Sequence, residues 1–144
     1  MLDTNVFLSA TDLGRAEHRQ AMVIFNEWAG RATTLYASGQ VMREYLAVAT
    51  RPAEKNGIGL KQADALANVR AFRMRTSLLA EDGRVADRLL GLLDLISCGG
   101  KQVHDANVVA TMLVHGIDTL ITINVADFSR FEQHITLIPL PSIS

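Results

Sequence analysis

The sequence predicts an α/β fold, with a mainly parallel central sheet and helices on both faces, and three observations predict it. Short β-branched or apolar stretches, "TTLYAS", "SLLA", "IDTLITI" and "ITLIPL", alternate with segments whose apolar residues recur at helical spacing. A chain of 144 residues is long enough to bury one core without disulfides or structural metal, so a single domain over 1–144 is expected. Hydrophobic residues make up 49% and charged residues 20%, the balance of a folded chain rather than a disordered one.

Taken in order, "LDTNVFLSA" reads as the end of a strand turning into a short helix, with Asp3, Thr4 and Asn5 as capping candidates. From Ala16 to Ala29 the residues Ala21, Met22, Ile24, Phe25 and Trp28 mark a helix that Gly30 stops. "TTLYAS" is a strand. Ser38 caps the helix "GQVMREYLAVAT", which Pro52 closes. "RPAEKNGIGL", with a proline and two glycines, is a loop. "KQADALANVRAFRMRT" is helical, "SLLA" a strand and "DGRVADRLLGLLDLISC" helical again; "GGKQV" breaks the chain before the helix "HDANVVATMLVHG". "IDTLITI", the short capped helix "NVADFSRF" and the strand "ITLIPL" complete it. Internal repeats, low-complexity segments and glycine-rich phosphate loops are absent from the sequence.

Composition narrows the function. A net charge of −1 excludes a protein that holds nucleic acid by bulk electrostatics, so any such contact is local. The longest apolar runs fall far short of a membrane span, and the N-terminal residues lack a secretory signal, so a cytoplasmic protein with no membrane contact is expected. The single cysteine, Cys98, lies in "LLDLISCGG" and reads as a buried or half-buried thiol in a reducing compartment.

In parallel sheets, sites collect at the carboxyl ends of strands, and carboxylates fall there repeatedly. Asp3 follows the first strand. Glu44 interrupts an inward stripe on the helix after the second. Asp105 opens the helix "DANVVATML", and Asn124 and Asp127 lie just past "TLITI". Each has a bland reading: Asp3 and Asp105 as N-caps, Asn124 with Asp127 as a capping-box variant. Glu44 resists one, because a solvated face does not explain its apolar neighbours. If the acids converge, they raise one another's pKa and a divalent cation compensates them. Oxygen-only ligands favour Mg²⁺, with Mn²⁺ as an alternative, over zinc, since His18, His104, His115 and His134 show no zinc-binding spacing.

With "LDTNVFLSA", Glu44 in "SGQVMREYLAVATRP", "VHDANVVATML" and "LITINVADFSRF" in that order, the chain resembles the PIN-domain ribonucleases, and among them the VapC-type toxins of toxin–antitoxin modules. The resemblance runs over nearly the whole chain. It implies a Mg²⁺- or Mn²⁺-dependent endoribonuclease that cuts single-stranded RNA to leave 5′-phosphate and 3′-hydroxyl ends. Asp3, Glu44 and Asp105 match the three family acids. The fourth slot holds Asn124, with Asp127 three residues on, so either of the two completes the set. Thr4, Asn5 and Thr122 match positions that support the pocket through hydrogen bonds. Only Met1 and Leu2 precede D-T-N where relatives carry several apolar residues. This shortens a strand expected near the middle of the sheet, or places the native start upstream of Met1.

The chemistry so implied is metal-assisted phosphodiester hydrolysis, with Asp3 and Asp105 holding the main ion and Glu44 and Asp127 completing the pocket. Because an acidic pocket repels RNA, cations must hold its backbone; Arg43, Arg51, Lys55, Lys101 and Arg130 are the candidates. Arg70, Arg73 and Arg75 either flank an RNA groove, meet an acidic partner or face water. The family also implies a homodimer and a cognate antitoxin, for which Phe72 and Met74 are contact candidates unless both pack in the core. A signalling receiver domain wants paired carboxylates after the first strand, where "LDTN" supplies one, and a D-x-D phosphotransferase wants a second acid where Asn5 stands. A catalytically weak PIN-like binding module is the remaining alternative, kept open by Asn124.

Overall fold

The structure, a computed structural model, describes the backbone of residues 1–144 and every side chain except that of Ala29. Its helices are α1 (Thr4–Thr11), α2 (His18–Glu27), α3 (Gly39–Thr50), α4 (Gln62–Arg73), α5 (Gly83–Leu95), α6 (Gln102–Val114) and α7 (Val125–Phe128). The strands are β1 (Tyr36–Ser38), β2 (Ser77–Leu79), β3 (Thr119–Thr122) and β4 (Thr136–Pro139), with short 3₁₀ turns at Trp28–Gly30, Ala53–Lys55, Ser129–Phe131 and Leu140–Ser142. All pairing is parallel, as the alternating pattern requires: β1 with β2 from Tyr36↔Ser77 to Ser38↔Leu79, and β3 with β4 from Thr119↔Thr136 to Thr122↔Pro139.

These are two separate two-stranded sheets, and the N-terminal residues join them. Leu2 forms a parallel bridge with Ile121. Asp3 N–H donates to Ile121 O at 3.0 Å, Ile121 N–H to Met1 O at 2.9 Å, and Leu2 N–H reaches the other way to Tyr36 O at 2.9 Å. The spatial order is therefore β2-β1-(Met1–Asp3)-β3-β4. The order in which successive strands are added reverses between Met1–Asp3 and β3, the kind of crevice where parallel sheets place ligands. The short central strand expected from "MLD" is real: it is one bridge long, and Leu2 is buried in its place.

Several boundaries are tighter than the sequence implied. "TTLYAS" pairs only from Tyr36, and the helix expected from Ala16 begins at His18. The helix expected from His104 instead starts at Gln102, because Gln102 Oε1 accepts the Gly99 N–H at 3.1 Å and begins the turn early. In contrast, α3 runs as read, from a Ser38 cap whose Oγ accepts the Val41 N–H at 3.3 Å to the segment before Pro52.

One core runs through the chain, from Met1 and Leu2 to Leu140 and Ile143. Four aromatic rings, Phe7, Phe25, Tyr45 and Phe72, from α1, α2, α3 and α4, stack with centroids 4.9–5.5 Å apart, edge-on or tilted. This cluster seats α1 and α3, the helices that begin at Asp3 and carry Glu44. Phe72, half-buried, thus packs against the core, whereas Met74 is 87% exposed and does not. Among the described residues, no helix is long and apolar enough to cross a membrane.

Candidate active site

Asp3 ends the central segment and caps α1, its Oδ1 accepting the Thr4 N–H at 2.7 Å. The capping reading and the site reading hold together, because the second oxygen serves the site. Oδ2 accepts from Thr122 Oγ1 at 2.7 Å, and the Thr122 hydroxyl in turn accepts the Asn124 N–H at 2.9 Å. Thr122 thereby fixes the carboxylate of one strand end to the turn that follows another. Asp3 is only 6% exposed. Burial holds its carboxyl above the usual range and the neighbouring Glu44 charge adds to this, while the Thr122 and Thr4 hydrogen bonds work against it.

Glu44 is half-buried on α3 and both of its oxygens are used: Oε2 accepts from Thr4 Oγ1 at 2.7 Å and Oε1 from Gln40 Nε2 at 2.8 Å. The partners missing from its apolar surroundings are these two neutral donors. Asp105 lies inside the first turn of α6, with Lys101 at the helix start, so the N-cap reading of Asp105 fails. Its carboxyl is pushed up to about 6 by desolvation first, then by the charges of Asp127, Asp3 and Glu44, with Lys101 opposing them. Asp105 is therefore close enough to feel all three other acids.

Asp3, Thr4, Asn5, Glu44, Arg51, Lys101, His104, Asp105 and Asn124 line one cleft of about 440 Å³, with Leu8, Ala47, Val48 and Phe128 as its apolar wall. Four remote segments do meet at one rim. Asp127 stands beside the lining rather than in it, 3.8 Å from the cleft lysine Lys101, and its charge is the first among the acids that raise Asp105. Nor do Asn124 and Asp127 form a capping box, since the Asn124 side chain makes no cap bond and Asp127 reaches it only from N–H to O at 3.1 Å. Asn5, whose Oδ1 accepts from Arg15 Nη1 at 3.5 Å, completes the floor beside Asp3.

Of the basic candidates, Arg51 and Lys101 face the cleft. Arg43 is drawn to Glu81, 3.2 Å away, and Arg130 Nη1 donates to Ser97 O at 3.3 Å, so both lie outside the lining. Lys55 sits in the turn after Pro52, also outside it. Among the described residues, no three Asp, Glu, His or Cys side chains stand close enough to form a direct three-ligand centre. The acids share a cavity rather than a point.

The site also contains residues that sequence reasoning passed over. Gln40, 6% exposed, donates from Nε2 to both Glu44 Oε1 and His104 O, the latter at 2.9 Å, and accepts from Asn107 Nδ2 at 2.7 Å. The available signal was a glutamine one helical turn before an inward glutamate.

The PIN domain family profile matches residues 1–126. The ribonuclease VapC24 of Mycobacterium tuberculosis, in two strains, is 29% identical over 135 residues, covering 90% of this chain and 89% of the relative. Among solved structures, VapBC2 from Rickettsia felis, crystallised bound to a DNA fragment from the promoter, superposes with a TM-score of 0.65 over 96% of both chains at 16% identity. That likeness is one of fold.

Proposed function

This chain belongs to the PIN domain family, and from that premise we propose that it is a metal-dependent endoribonuclease, the toxin of a type II toxin–antitoxin pair. The observation that carries the reading is the meeting of Asp3, Glu44 and Asp105 in one cleft, with the carboxyls of Asp3 and Asp105 both held above their ordinary range. Acids crowded in this way favour a bound cation. The donor set fits Mg²⁺, or Mn²⁺ in its place: the cleft offers oxygen from Asp3, Glu44, Asp105 and Asn124, and Mg²⁺ needs only one or two carboxylates because it keeps several waters. Three converging carboxylates are not required.

When bound, the ion supplies charge neutralisation at the phosphodiester and a water acidic enough to attack it. The rest falls to the chain. Asp3 and Asp105 hold the ion, with the Asn124 side-chain carbonyl as a third oxygen. Glu44, oriented by Thr4 and Gln40, orients the attacking water and takes its proton. Arg51, Lys101 and His104 on the cleft wall hold RNA phosphates against the repulsion of the acids. Asp127, paired with Lys101 at the rim and the acid that acts most on Asp105, completes the pocket directly or through a water.

A toxin of this kind is silenced by a cognate antitoxin and acts as a homodimer in the cytoplasm. Met74, with Leu90 and Leu95 on α5, is an exposed apolar side chain open to a protein partner. The direct test is cleavage of single-stranded RNA by the wild type with Mg²⁺, with chelator, and by Asp3→Asn. Cleavage is expected in the first case only, with a loss of about 100-fold or more in the others; equal activity in all three overturns the reading.

A further inference from the structure

We propose that Gln40 is the positioning residue of this site: its side-chain amide sets the place of Glu44 relative to Asp105 although it does not itself line the cleft. The proposal rests on the nuclease reading above and extends it to a residue outside the cavity. Both Nε2 hydrogens are used, one on Glu44 Oε1 at 2.8 Å and one on His104 O at 2.9 Å, while Oε1 accepts from Asn107 Nδ2 at 2.7 Å. Turning the amide over would set Oε1 against two acceptors and Nε2 against a donor, so one orientation is permitted. The backbone is pinned as well, because Gln40 N–H donates to Glu81 Oε1 at 2.6 Å.

The connections reach all three acids. Thr4, next to Asp3, donates to one oxygen of Glu44, and Gln40 donates to the other. Gln40 then grips α6 on either side of Asp105, at His104 before it and Asn107 after it. Buried hydrogen bonds of this kind are costly to leave half-made, so the network adopts one geometry. An isolated glutamine that merely filled space would need none of these contacts.

The experiment uses the full chain as Gln40→Leu, Asn107→Asp and Asn107→Ala, each measured for Mn²⁺ affinity by calorimetry without RNA, for kcat and KM on RNA, and for Tm. Gln40→Leu is expected to weaken Mn²⁺ binding and kcat by about 10–100-fold, the range for partners that orient metal ligands, with KM changed by less than about twofold. Asn107→Asp places a charged acceptor against Oε1 while Glu44 and His104 O still bar the flipped amide, so the clash displaces the whole Gln40 side chain from Glu44 and α6 and both quantities fall in the same way. Asn107→Ala keeps both Nε2 bonds and loses clearly less.

Unchanged Mn²⁺ affinity and kcat in Gln40→Leu, even with a lowered Tm, overturns the positioning role. If Gln40→Leu does not fold, the Asn107 pair decides, and equal behaviour of Asp and Ala overturns it. Failure of the parent reading looks different: the wild type itself then binds no Mn²⁺ and cuts no RNA, and the positioning role falls with it.

Discussion

At the scale of single residues, Asp105 combines a structural cost with a chemical use. Its native carboxyl titrates at about 6 against 3.8 for the ordinary residue, so the folded state prefers the neutral acid. The stability associated with that preference is complete below pH ~4 and is lost as pH rises through about 6. Asp105→Asn, neutral at every pH, is therefore expected to be more stable than wild type at pH 7.5. After allowance for a half-exposed rim the gain is about 1 kcal/mol, or roughly 4 °C in a chain of this size, and it vanishes at pH 4. Thermal melts of the two proteins at both pH values check this, and an equal gain at pH 4 refutes the electrostatic origin. The sequence made Glu44 legible because a carboxylate among apolar helical neighbours demands a partner. It hid Gln40, because a glutamine in a helix is equally at home in water. Asp105 was legible as a site acid, but its alternative reading as an N-cap was not excluded, since the Gln102–Gly99 contact that starts the helix early is not a propensity.

At the scale of elements, what was legible tracks what local chemistry punctuates. Helix α3 has a serine cap and a closing proline, and both ends fall where they were read. Strands came out short because β-branched content outlasts the partner available to it: Thr33 and Thr34 lie in the chain before β1 pairs. The loop after α3 depends on a further local requirement. A side chain at Gly57 would collide with the carbonyl of Arg51, and the loop folds back there through Gly57 N–H to Pro52 O at 3.1 Å and Gly59 N–H to Arg51 O at 2.9 Å. Gly57→Ala is expected to cost about 1–3 kcal/mol and to displace Arg51 from the cleft wall. Denaturant unfolding combined with RNA affinity tests this: a variant that loses stability but keeps wild-type KM separates the loop from substrate binding.

At the scale of the whole molecule, the acids that cost stability when empty should return it when a cation neutralises them. Mg²⁺ at about ten times its Kd is expected to add ~1.4 kcal/mol to the wild type and to add little to Asp3→Asn, a difference read by thermal melts with and without the ion. An equal shift in both proteins places Mg²⁺ elsewhere. The parallel sheet and the central place of Met1–Asp3 were legible from the alternation of elements and from D-T-N, but the division of the sheet into two pairs joined by a single bridge was not, because long-range pairing leaves no mark on a three-residue stretch. That junction bears on the order in which the molecule becomes active. Asp3 leaves the ribosome early, but the hydroxyl that orients it belongs to Thr122, 119 positions later. A chain still lacking β3 therefore has its first acid without the hydroxyl that orients it, and the cleft takes shape only when β3 closes the sheet.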